Sequence, residues 1–110
     1  MDLSNYIELL KNRGKPLMAI GVNSFALDKE SALIAIGFLQ EANIPILGGD
    51  VFKQLEEKLT LTYDNWSCQK EKYSSNEEYI NASLEEAKEY IENYKANRNE
   101  LVYFELVLPY

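Results

Sequence analysis

The chain has 110 residues, 46% of them apolar, enough for one folded domain over 1–110 and too many for an intrinsically disordered protein. Its formal net charge of −7 is the wrong sign for holding nucleic acid or an anionic membrane surface, both of which are bound through Lys and Arg. It has no His and a single Cys, Cys68, which excludes His/Cys zinc sites, Ser-His-Asp and Cys-His nucleophile systems and any internal disulfide.

From the N-terminus, Met1 to Tyr6 lacks the basic-then-apolar pattern of a secretory signal, and no apolar run nears membrane-spanning length, so the expected location is the cytoplasm. Asp2 or Ser4 can cap a first short helix, with Leu3, Ile7 and Leu10 on one face and Tyr6 beside them. Gly14 and Pro16 stop it. Leu17 to Val22 reads as a short buried strand. Asp28 is an N-cap for a second helix over about Lys29–Ala42, apolar around most of its girth. Asn43 ends it and Pro45 forbids its continuation. Ile44 to Phe52 reads as a strand bent at Gly48-Gly49, where adjacent glycines mark a bulge, a turn or the close approach of another backbone. Lys53 to Lys58 is a charged connection. Leu59, Leu61 and Tyr63 alternate with Thr60 and Thr62 as a strand. The apolar positions then move to even numbers at Trp66 and Cys68, which a bulge or turn at Asp64-Asn65 would explain. Ser75-x-x-Glu78 and Ser83-x-x-Glu86 are two cap signals. Either one helix covers Asn76 to Lys95, or a turn precedes a helix from Ser83; the stripe Ile80, Leu84, Ala87, Ile91 and Tyr94 favours the single helix. Leu101 to Leu108 forms the last strand, Glu105 making its second face partly wet.

This order predicts an α+β domain. A four-stranded, mostly antiparallel sheet would carry two helices on one face, in the ferredoxin-like βαββαβ order, after a short N-terminal helix.

Carboxylates, Lys, Arg, Tyr and Cys68 are the side chains left for chemistry. Asp50 and Asp64 would meet if their strands form a hairpin, and paired carboxylates can move protons or hold a metal; aspartates at bends also simply bond backbone N–H groups. Gly48-Gly49-Asp50 is not a phosphate loop, and Cys68 without His is an inert thiol. The expectation is therefore no catalytic residue, no metal and no cofactor. Two constellations suit a protein partner instead. The acidic face of the last helix carries Glu77, Glu78, Glu85, Glu89 and Glu92, for which sequence alone favours a solvated exterior. Residues 71–110 hold nine acids and four bases against nine and seven in 1–70, so most of the excess charge lies there. The bend region offers Asp50, Asp64, Asn65 and Trp66. Trp66 is either a hot spot for a basic partner or a core residue packed over the glycines.

Asn23-Ser24-Phe25-Ala26-Leu27, Ile46-Leu47-Gly48-Gly49-Asp50-Val51-Phe52, Tyr63-Asp64-Asn65-Trp66 and the closing pattern from Tyr90-Ile91 through Tyr103-Phe104-Glu105-Leu106-Val107 resemble the bacterial polymorphic-toxin immunity proteins, in particular the immunity protein 40 family. The resemblance covers about 20–108. It implies a small cytoplasmic antidote that acts by binding one cognate toxin domain, a basic nuclease being one candidate, and has no active site of its own. A ferredoxin-like regulatory or ligand-binding module and a minor enzyme using Asp50 and Asp64 are the competing readings.

Overall fold

In the computed structural model, which describes residues 3–97 and 99–109, the chain runs α1 (Ser4–Arg13), β1 (Lys15–Pro16), a 3-10 turn (Met18–Ile20), β2 (Phe25–Ala26) and α2 (Lys29–Glu41). It continues with β3 (Gly48–Leu55), β4 (Lys58–Ser67), a second 3-10 turn (Lys70–Lys72), α3 (Asn76–Asn93) and β5 (Leu101–Val107). The chain is α+β as expected, but the ferredoxin-like four-stranded sheet does not form. The described strands make a three-stranded antiparallel sheet, β4-β3-β5, and a separate two-stranded one, β1-β2.

The missing strand is the run Leu17 to Val22. A short apolar run without alternation does not distinguish a strand from a turn, and here Gly21 takes a left-handed φ of 84° that closes the 3-10 turn. Leu17 is buried, whereas Met18 is 64% exposed and Ile20 is also exposed. Beside β5, where a fourth strand would lie, Leu27 alone pairs among the described residues: it and Phe104 exchange both backbone hydrogen bonds, at 2.8 and 2.7 Å.

Local signals explain the helices. Asp28 accepts from the Ser31 N–H at 2.7 Å and starts α2. The helix stops in a Schellman motif: Asn43 sits at φ 59°, the Ile44 N–H reaches Leu39 O (2.9 Å) and the Asn43 N–H reaches Gln40 O (3.1 Å). Ser75 caps α3 by accepting from the Glu78 N–H, while the Glu78 carboxylate accepts from the Ser74 N–H and hydroxyl. Those hydrogen bonds hold the Glu78 pKa below its ordinary value. α3 is a single helix, so Ser83 is no cap. It is buried, accepting from the Ile46 N–H (3.0 Å) and donating to Ile80 O (2.9 Å), which ties α3 to the segment entering β3. α1 follows Leu3 rather than a side-chain cap at Ser4; Asp2, the other cap candidate, lies outside the described residues. α1 buries Tyr6 and Leu9, a face rotated from the expected one, and leaves Ile7 exposed.

All three helices contribute to the main core, which they share with Ile46, Val51, Phe104 and Leu106 on one face of the sheet. A smaller core lies on the other face, where Leu17 and Ala26 pack on Phe52 and Tyr103, with Val22, Leu59 and Leu61 around them. The Lys15 ammonium lies 5.6 Å from the centre of the Tyr103 ring.

Candidate functional site

β3 and β4 form a hairpin closed by a two-residue turn, Leu55 pairing with Lys58, so the charged connection expected over Lys53–Lys58 is mostly strand. Along the hairpin Asp50 pairs with Asn65 and Phe52 with Leu61. Val51 thus faces Thr62, Tyr63 and Asp64, two residues more than a regular ladder allows. Tyr63 takes a left-handed φ of 71° at this bulge and is 81% exposed. The Thr62 hydroxyl bridges the distortion, donating to Val51 O (2.9 Å) and accepting from the Asp64 N–H (3.1 Å).

The glycines lie opposite the far end of β4, where Gly48 pairs with Ser67 and Gly49 with Trp66. Neither is left-handed; they are required by close approach. A Cβ on Gly48 would strike Trp66 O, and one on Gly49 would strike the Trp66 ring at Cη2 and Cζ3 and lie 2.5 Å from Glu105 O. The indole therefore lies on bare strand. It also packs against the main core and stacks on Tyr90 of α3, at 4.6 Å between centroids and 28° between planes. Tyr94 continues the row, 5.9 Å from Tyr90 and edge-on to Phe104 at 5.6 Å. Trp66 is half-buried: it packs over the glycines, as the core reading expected, and the part left uncovered lines a surface groove.

The groove runs between α3 and β4, with a cavity volume of ≈ 580 Å³. Trp66, Tyr90 and Tyr94 supply its aromatic surface, Glu86 and Glu89 its carboxylates, and Lys95 a cation beyond the helix end. The Tyr94 hydroxyl donates to Asp64 Oδ2 at 2.6 Å. Burial, reinforced by that bond, pushes the Tyr94 hydroxyl up to about 12, so it remains a donor at any physiological pH. Burial also raises Tyr90, with the Asp64 charge adding to it.

Of the residues picked out by sequence, Asp64, Trp66 and Glu89 come together around this groove. Asp50 and Asn65 do not. They pair on the opposite face of the sheet, which Asp50 shares with Glu105, its β5 neighbour. Burial raises the Glu105 pKa, a hydrogen bond from Ser24 lowers it, and the charge of Asp50 raises it further. Asp50 and Asp64 thus have the sheet between them and cannot share a proton or a metal ion. Glu85 and Glu92 are exposed on α3, and Lys29 Nζ donates to Glu92 O at 2.8 Å from α2. The sequence offered Glu86 only in a cap signal and Tyr90 only in the family resemblance, neither as a site residue. Their signal was the spacing 86, 90, 94, which places three residues in line on one helix face.

Cys68 is buried, and its thiol is pushed up to about 11, first by burial and then by a hydrogen bond to Glu86, which keeps it in the thiol form at neutral pH. Among the described residues, no group of three or more His, Cys, Asp or Glu side chains could hold a metal ion, and no helix is long and apolar enough to cross a membrane.

A family model described as immunity protein 40 matches residues 16–108, from β1 to just past β5. Neither a curated protein nor a solved structure gives a significant match.

Proposed function

Because the chain belongs to the immunity protein 40 family, we propose that it is the antidote of a polymorphic toxin system, binding one cognate toxin domain in the cytoplasm and neutralising it without catalysis. The family match over 16–108 carries this reading, since it takes in the smaller core, the whole groove and all of the main core except its α1 residues. Immunity proteins are in general not enzymes, and the separation of Asp50 from Asp64 removes the carboxylate pair that an enzymatic reading needed. The acidic surface, concentrated in 71–110, favours a toxin with a basic surface, and a nuclease domain fits because its substrate is itself polyanionic.

Co-expression with the toxin encoded beside it is the direct test. Cells making both proteins should grow, cells making the toxin alone should not, and the two proteins should purify as one stable, near-stoichiometric complex. Continued growth arrest with both proteins expressed and folded would refute the proposal.

A further inference from the structure

The α3–β4 groove has a chemistry that identifies part of its partner. Its aromatic surface is organised in advance: Trp66 is seated on Gly49 and stacked on Tyr90, and Tyr94 is held by Phe104 and by its hydrogen bond to Asp64. Glu86 and Glu89 stand one turn apart beside these rings, both exposed. Neither forms an ion pair among the described residues, where the pair present is Lys53–Glu100, on another part of the surface. Aromatic faces with adjacent carboxylates attract a cation twice, through the ring quadrupoles and through charge. Lys95 lies in the same groove, but after the end of α3, so the groove is graded and a cation belongs at the Glu86–Glu89 end.

We propose that this groove receives an arginine side chain projecting from the toxin domain, its guanidinium lying against the exposed aromatic surface that Trp66, Tyr90 and Tyr94 present to the groove and pairing with Glu86 and Glu89. Arginine fits better than lysine because its planar fork can stack and pair with a carboxylate at once, whereas an ammonium is a more strongly hydrated point charge. The site also has the make-up of an interface hot spot, a preformed aromatic surface with charge beside it. The toxin as partner rests on the immunity reading; the preference for arginine does not.

Trp66 is the one tryptophan in the chain, so its fluorescence reports on the groove alone. The full-length protein is titrated with an acetylated, amidated Gly-Arg-Gly peptide and with its lysine and citrulline counterparts. The arginine peptide should give a saturable change, the lysine peptide should bind about fivefold more weakly, and neutral citrulline should not bind. Glu86→Gln with Glu89→Gln should weaken the arginine peptide on the order of tenfold, and Glu89→Gln alone, at a residue with no side-chain contact to the core thiol, should weaken it in the same direction in a protein that still melts cooperatively. No response to arginine, an equal response to citrulline, or an unaltered response in the double variant overturns the proposal. A second arm separates the two ideas. If the wild type rescues growth but the double variant binds the toxin with unchanged Kd, the groove assignment fails and the immunity reading stands. If the wild type does not rescue, the immunity reading fails, while the peptide titration still decides the chemistry of the groove.

Discussion

Gly49 shows how one hydrogen atom can position a binding surface. Gly49→Ala sets a methyl group into the Trp66 ring and against Glu105 O, and both cannot give way. Overpacking of this kind costs about 1–3 kcal/mol. Urea unfolding should show that loss, and the Trp66 emission should shift as the indole leaves Tyr90. On the other face, Glu105 is half-buried and near Asp50, and its folded pKa lies above the ordinary carboxylate value. The sign follows from proton uptake. In the window between the unfolded and folded pKa the native state binds more protons, so stability falls as pH rises through it and the ionised group remains a cost at neutral pH. Glu105→Gln should therefore melt higher than wild type at neutral pH, with the advantage shrinking as the pH is lowered toward the carboxylate range. Thermal melts across that range check it, and a variant less stable throughout would contradict it.

The elements depend on a few polar contacts at their junctions. Ser83 is fully buried and holds the Ile46 N–H, so Ser83→Ala leaves that donor unsatisfied inside the protein. The expected loss is about 1–3 kcal/mol, read as a lower urea midpoint with an unchanged m value. Ser83 also marks where sequence reading stopped. Its cap-like spacing to Glu86 was a true pattern with a different use, because a hydroxyl that can cap a helix can equally bridge two buried backbone groups. α2 and α3 were legible, since Asp28, Ser75 and the apolar stripes are local signals, and so was the strand through Leu59 and Leu61. The segment 17–22 was not, because its fate depends on Gly21 and on contacts with Phe52 and Tyr103 far along the chain. The candidate site was half legible. The shift from Leu59 and Leu61 to Trp66 suggested a bulge that swaps faces. A bulge exists one position earlier, but it adds two residues and preserves the alternation. The apolar residues change parity because they serve two cores, Leu61 the small one and Trp66 the helical one. A single strand's pattern cannot reveal a second core, so a hairpin alone does not bring Asp50 and Asp64 to one face.

For the whole molecule, charge governs the approach of a partner more than the final grip. Replacing Glu85, Glu89 and Glu92 by Lys changes the charge by two units per site, from −7 to −1. Stopped-flow association with the cognate toxin should slow on the order of tenfold and lose most of its dependence on ionic strength. Unchanged rates would show that this side of α3 plays no part in the encounter. The bulge at Tyr63 has a further consequence at this scale. β4 is the outermost strand of the three-stranded sheet, and an outermost strand carries a row of backbone donors and acceptors on which another chain can extend the sheet. A tyrosine held left-handed in the middle of that row, with two surplus residues around it, breaks the spacing a new strand would need. On the opposite border, Leu27 already occupies Phe104. The same distortion that brings Asp64 to Tyr94 thus guards the protein against stacking on its own copies into fibres.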